Sequence, residues 1–222
     1  NKWFAMAIVA AILNLGVFKY LDFFRDNVQS LINALHLNIL LPGVEIIMPL
    51  GISFYTFHSI SYLVSLKKRE ITLPPFLDFA LFLSFFPSLM AGPINRAKVF
   101  LPQIQIIRPR KISDPSKAYM LLIIALIKVL WLSPVLAENW VDPVFASPKE
   151  FHALDALTAL YLYAIQLYLN FSGYTDLVTA IAILLGFTLP INFNAPYLAH
   201  NLRDFWQRWH ISLSSWIRDY IY

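Results

Sequence analysis

The sequence holds five histidines, His36, His58, His152, His200 and His210, the residue type whose free side chain titrates near neutral pH, and there is no cysteine. His210, in the run RWHIS, is the best candidate for a general base. A neutral imidazole can take the proton of a hydroxyl as that hydroxyl attacks an acyl carbon. The bland alternative is an interfacial histidine bonded to a headgroup or a backbone carbonyl. His58 sits inside an apolar run rich in Ser and Thr, where a helix-packing hydrogen bond is the competing role. His36, His152 and His200 fall near predicted interfaces and carry no special role. Asp176 follows Asn170-Phe-Ser-Gly-Tyr-Thr at a predicted span boundary. An acid there is a functional hypothesis, while helix N-capping by Thr175 or Asp176 is equally open. Asp78 and Lys128 are the other charges inside apolar runs, and Lys128 is read as snorkelling to the interface.

Other chemistries lack their signatures. No HExxH, no Cys/His cluster and no carboxylates at metal-ligand spacing occur, so no metal is expected. There is no GxSxG elbow, Walker loop or GxGxxG. Of the 222 residues, 59% are hydrophobic and 14% charged, against ~45–50% and ~25% for a soluble domain. That balance points to lipid as the main solvent. The net charge of +4 comes from basic residues beside apolar runs, which fits membrane topology rather than nucleic acid. Fourteen prolines suggest short, broken or re-entrant helices. The chain opens at Asn1 without a signal-peptide pattern and closes at Tyr222 inside an amphipathic aromatic run, so it is expected to be part of a longer protein.

The elements that must hold these residues follow from the apolar runs, since a spanning helix needs about 20 residues. Residues 3–19 predict a first span and residues 20–41 an interfacial helix. Residues 44–66 are long enough to cross but carry Pro49, Gly51, Thr56, His58 and Ser61, a pattern for a helix packed on others or lining a polar cavity. Basic loops flank residues 76–92, one with Lys67, Lys68 and Arg69, the other with Arg96, Lys98, Arg108, Arg110, Lys111 and Lys117. Both can be cytoplasmic only if 76–92 dips in and returns, and Pro87 favours such a broken element. Residues 118–137 predict a span, followed by an acidic loop (Glu138, Asp142, Glu150) read as periplasmic. Residues 151–170 and 174–190 predict two more. In the last stretch, Phe205, Trp209, Leu213, Trp216 and Tyr220 recur at helical spacing, a stripe most simply explained as membrane packing. His210 lies about 100° round that helix, on the side of Arg203, Trp206, Ser214 and Ile217. The expected architecture is an all-α, polytopic integral membrane protein with broken or re-entrant helices, one membrane domain over residues 1–222.

Three blocks carry a family resemblance: PLGISFYTFHSISYLV (49–64), FLDFALFLSFFPSLMAGPINRAKVFLPQI (76–104) and LYLNFSGYTDLVTAIAILLGFTLPINFNAPYLAHNLRDFWQRWHISLSSWIRDYIY (167–222). Together they resemble the bacterial membrane-bound O-acyltransferases, nearest to those that O-acetylate alginate or peptidoglycan and more distantly to those that D-alanylate teichoic acid. The resemblance implies an enzyme of the bacterial inner membrane, with no bound cofactor and with acetyl-CoA or another acyl donor as co-substrate. It implies an extracytoplasmic polysaccharide acceptor and a periplasmic acyltransferase partner protein. It assigns one catalytic position to His210. A second family histidine, in a Trp-His-Gly block, has no counterpart in these 222 residues, so the chain as given is expected to be catalytically incomplete. Substrate-path candidates are His58, Arg96, Asp176, Trp206, Arg208, Trp209 and Ser214. Gly92, Pro93 and Arg96 could present backbone donors and a positive charge to the donor's phosphates, or simply form a turn. The alternatives are D-alanyl transfer by the same fold, and a transporter or scaffold without covalent chemistry.

Overall fold

The computed structural model describes residues 2–43, 47–106 and 109–222, and among these helices are the only regular structure. Val44–Ile46 of one expected span and Arg108 of the second basic loop lie outside the described residues. The chain divides into two compact units. One runs to Phe85 and adds Arg96–Ile104; the other joins Phe86–Asn95 to the chain from Gln105 to Tyr222.

In the first unit, α1 (Lys2–Ala34) is one unbroken helix of 33 residues. The predicted division near residue 20 does not occur, because nothing there removes a backbone donor and Gly16 alone costs a helix only about 1 kcal/mol. The helix stops at His36, which adopts a positive φ of 54°. His36 N–H then bonds Asn33 O at 3.0 Å and Leu37 N–H bonds Ile32 O at 3.1 Å, a Schellman stop with histidine where glycine is usual. So His36 does have a job, a structural one. α2 (Ile52–Lys67) has 16 residues, about 24 Å at 1.5 Å per residue, which is shorter than the expected span. Its polar residues Thr56, His58, Ser61 and Ser65 are buried. Ser61 Oγ accepts the Ala97 N–H at 3.1 Å and so caps α5 (Ala97–Ile104). Ser65 Oγ donates to Glu70 at 3.1 Å. Ser61 thus joins helix to helix, as intramembrane Ser and Thr commonly do, while Ser65 fastens the turn that follows its own helix. α3 (Phe76–Ser84) ends at Phe85, and Phe82 and Phe85 pack on Phe100 with centroids 6.2 and 4.7 Å apart.

The run 76–92 is broken, as Pro87 suggests. After Phe85 the chain resumes as the single turn α4 (Phe86–Leu89) of the second unit. No single helix therefore carries the chain across between the basic loops.

The second unit is built on a hairpin of two long helices, α6 (Pro115–Ala146) and α7 (Ala153–Leu184), each of 32 residues. With α1 they are the three described helices long and apolar enough to cross a membrane. α6 continues past residue 137, so Glu138 and Asp142 are helical and the expected acidic loop shrinks to residues 147–152. It does so through two wide turns, Ile127–Leu132 and Ala137–Val141. Each wide turn ends just before a proline, Pro134 and Pro143. A proline supplies no N–H and its ring presses on the carbonyl four residues back, so the turn opens rather than the helix ending.

α7 replaces the two spans predicted over 151–170 and 174–190. The Phe-Ser-Gly run does not interrupt the helix. Ser172, Gly173 and Thr175 are buried, and Gly173 sits where a Cβ would come within 2.8 Å of Lys128 Cβ and Val129 Cγ2. Small residues here permit close approach of two helices. α7 ends in another Schellman stop at Gly186, with φ 77°. Loops then lead to the closing helices α8 (Leu202–Arg208) and α9 (Ile211–Tyr220).

Candidate functional site

The closing stretch, expected as one amphipathic helix, is broken at its centre. Trp209 is extended and His210 is left-handed, with φ 43° and ψ 53°. A left-handed conformation costs a non-glycine residue about 1–3 kcal/mol and persists only where its surroundings enforce it. The facing segment 192–194 does so. Asn194 N–H bonds Arg208 O and Ile211 N–H bonds Asn192 O, both at 2.9 Å. The Asn192 side-chain oxygen accepts from Ser212 N at 3.2 Å and from Ser212 Oγ at 2.8 Å. Ser212 Oγ in turn accepts the Ile94 N–H at 3.0 Å. The donor that follows Pro93 is thus used within the fold, which fits the turn role for Gly92-Pro93.

His210 presents its imidazole from this break. Its ring lies edge-on to Phe171 of α7, with centroids 4.8 Å apart. Nε2 is buried and makes no hydrogen bond with the described residues. Burial pushes the ring's pKa down to about 4, so the imidazole is neutral at pH 7 and keeps a lone pair. The aromatic stripe expected along one helix is divided by the break. Once the helix breaks, Phe205 stacks on Trp209 at 5.6 Å, and Trp209 packs against Phe193, Tyr168 and Tyr197. Trp216 is buried and stacks on Tyr220. Trp209 and its neighbours thus form a half-buried aromatic cluster, joined to the histidine's side through Phe171, which packs on both Trp209 and His210.

The other candidates separate into groups. Trp206 and Ser214 line one groove with Arg203 and Arg218, and His210 is not part of it. Ser214 Oγ donates to the carbonyls of Trp209 and His210 at 3.2 and 3.3 Å, tightening the break. Arg208 bonds Asp204 at 2.7 Å. That guanidinium, with the His200 N–H, holds the Asp204 carboxyl below its usual range. Asp176 is neither an N-cap nor free at a boundary. It lies within α7 and pairs with Lys128 of α6 at 2.7 Å. Lys128 is therefore an ion-pair partner and does not snorkel; its stem passes the Gly173 notch and its ammonium lies 5.8 Å from the Tyr168 ring centroid. His58 and Arg96 belong to the first unit. His58 is fully buried, 5.3 Å from Phe82, and Arg96 stands at the start of α5 with Nε and Nη2 buried. Sequence reasoning missed Asn192 and Ser212, since a buried Asn in a Pro-bounded loop has no periodic signal.

The Lys128–Asp176 pair makes a definite prediction. Lys128→Met leaves a carboxylate without its partner and should cost about 2–4 kcal/mol, somewhat less than a fully buried pair because both side chains keep some exposure. Lys128→Met with Asp176→Leu should recover most of that loss. Thermal denaturation midpoints in detergent measure both, and a double variant no better than the single would reject the pairing as the cause.

Comparison with known proteins places the chain in a family. The chain is 34% identical to the probable alginate O-acetylase AlgI of Pseudomonas aeruginosa, over 100% of this chain and 42% of that protein. It is 34% identical to the peptidoglycan O-acetyltransferase of Helicobacter pylori, over 99% of this chain and 46% of that protein. It is 31% identical to the teichoic acid D-alanyltransferase of Streptococcus thermophilus, over 78% of this chain and 43% of that protein. The chain thus spans less than half the length of these curated relatives. Its apolar helices make it a multi-pass membrane protein. The family profile described as MBOAT, membrane-bound O-acyltransferase family, matches residues 10–222, from α1 through the break at His210, and the chain belongs to that family.

Proposed function

We propose that this chain forms part of an inner-membrane enzyme of bacteria that transfers an acetyl group to a hydroxyl of an extracytoplasmic polysaccharide. Acetyl-CoA on the cytoplasmic side is the proposed donor, and a periplasmic acyltransferase is the proposed partner protein. The observation that carries this reading is the buried, unbonded Nε2 of a neutral His210 at an enforced backbone break. A buried polar atom left without a partner costs about 1–3 kcal/mol, and an acceptor role towards a reacting hydroxyl is one way for it to be satisfied. In the proposed step the hydroxyl oxygen attacks the acyl carbon of the thioester and passes its proton to Nε2. The C–S bond then breaks, and the thiolate leaves with that proton. With a pKa near 4 the imidazole is a weak base but a constant acceptor, so it orients and polarises the hydroxyl before attack.

The match to teichoic acid D-alanyltransferases supports a second reading, transfer of a D-alanyl group by the same residues. One experiment separates the two. Membranes carrying the complete protein and its partner are given radiolabelled acetyl-CoA, and the polysaccharide is recovered and treated with mild alkali. Alkali-labile acetate label supports the proposal. Release of D-alanine from cells, with no acetate label, supports the second reading. Substrate movement without any covalent label would reject both.

A further inference from the structure

We infer that Asn192 is a positioning residue for His210: it caps α9 from a distant loop, so that the histidine at the capping position keeps its imidazole for the reactant. The inference rests on the reading of His210 as the reacting group and adds how the fold makes that group available.

A helix begins with four N–H groups that have no partner inside it. The residue at the N-cap usually supplies a side-chain oxygen to one of them, from an extended backbone. His210 holds that position in α9 but is left-handed and makes no side-chain cap. Asn192 does the capping instead. Its backbone oxygen takes the Ile211 N–H at 2.9 Å and its side-chain oxygen takes the Ser212 N–H at 3.2 Å. The His210 carbonyl takes the next two donors, Leu213 and Ser214, both at 3.0 Å. The first three N–H groups of α9, those of Ile211, Ser212 and Leu213, are thereby bonded without the imidazole, and Ser214 makes the first regular bond of the helix.

Asn192 is itself held from several sides. It is 1% exposed. Its side-chain oxygen must face Ser212, because a backbone N–H can only donate, and it also accepts from Ser212 Oγ at 2.8 Å. Its amide nitrogen then points to Thr175 Oγ1 of α7 at 3.5 Å. Without this clamp the left-handed strain at His210 has less to enforce it. The residue would relax towards extended backbone, and its ring would turn to cap Ser212 or Leu213. Nε2 would then leave its place beside Phe171.

The test compares Asn192→Ala, Asn192→Asp, His210→Ala and the His210→Ala/Asn192→Ala pair in the complete protein, assayed for acyl transfer after solubilised amounts are matched. Asn192→Ala should lower kcat about 10–100-fold, the scale of a misplaced catalytic group, with KM for the acyl donor within about twofold. Asn192→Asp keeps an oxygen towards Ser212, and a carboxylate is favoured at a helix N-terminus, so it should restore most of kcat. In the His210→Ala background, Asn192→Ala should cost nothing further. Parental kcat in Asn192→Ala beside an inactive His210→Ala overturns this inference alone. So does an Asn192→Asp no more active than Asn192→Ala at equal folded yield, or an equal loss in both backgrounds. Parental activity in His210→Ala overturns the functional reading itself. Should Asn192→Ala not fold, Asn192→Leu keeps the side-chain volume, removes the same capping oxygen and should show the same fall in kcat with unchanged KM; parental kcat there overturns the inference.

Discussion

His210→Ala lowers kcat for acyl transfer by about 10²–10⁴-fold, the usual contribution of a positioned acid–base group, and leaves the protein inserted in the membrane. Loss of activity alone would not separate chemistry from folding, because His210 also sits in a strained conformation with φ 43°. Glycine separates them. His210→Gly removes the same imidazole but favours the left-handed backbone, so it should be as inactive as His210→Ala and about 1 kcal/mol more stable. A glycine variant that regains activity along with stability would mean that the histidine acts only through the backbone. The pH dependence gives a second check. Burial lowers the ring's pKa from 6.5 to about 4, so kcat/KM should show no His210 titration between pH 8 and pH 5 and should fall below that. For stability the sign is the following. Between pH 6.5 and 4 the unfolded chain binds a proton that the folded chain refuses, so stability is full above 6.5 and declines as pH falls through that window. His210→Gly should flatten that part of the decline.

The apolar runs behind the long helices were legible in the sequence because they depend on local composition, and His210 stood out as a candidate through its residue type and the family resemblance. Apolar runs mark α1, α6 and α7, and RWHIS marks His210. What was not legible depends on partners far along the chain. Phe205, Trp209, Leu213, Trp216 and Tyr220 fit one helix perfectly well by spacing. The break comes from Asn192, 20 residues before Ser212, and a periodicity has no means of registering it. Asp176 and Lys128 each look like an isolated intramembrane charge until the hairpin brings together residues 48 apart. Gly173 reads as an interruption when the helix is considered alone, and as a contact once α6 lies against it. Likewise Pro134 and Pro143 suggest helix ends, but wide turns absorb them. His36 and Arg69 end helices in left-handed conformations, with φ 54° and 59°, although glycine is the usual residue there.

Gly173 supplies the other large prediction, and its sign is set by a neighbour. At Gly16 a Cβ would meet nothing within 4 Å, so Gly16→Ala in α1 should stabilise by up to about 1 kcal/mol through helix propensity. Gly173→Ala makes the same chemical change in α7 with the opposite result. The new Cβ would lie 2.8 Å from both Lys128 Cβ and Val129 Cγ2, atoms fixed close to the backbone of α6 that cannot swing aside. Overpacking of this kind costs about 1–3 kcal/mol, which outweighs the propensity gain. Gly173→Leu goes further and forces the two helices apart. Lys128 is then drawn from Asp176, and the loss of that pair adds to the clash, for a total of about 4 kcal/mol or more. The damage also reaches the candidate site, because α7 carries Phe171, the ring against His210, and Tyr168, which packs on Trp209. Denaturation midpoints for the three variants should therefore run Gly16→Ala above parent, Gly173→Ala below and Gly173→Leu lowest, with acyl transfer falling in the last two only. If Gly173→Ala instead matched Gly16→Ala, the close crossing of α6 and α7 would not be the feature that holds this hairpin together.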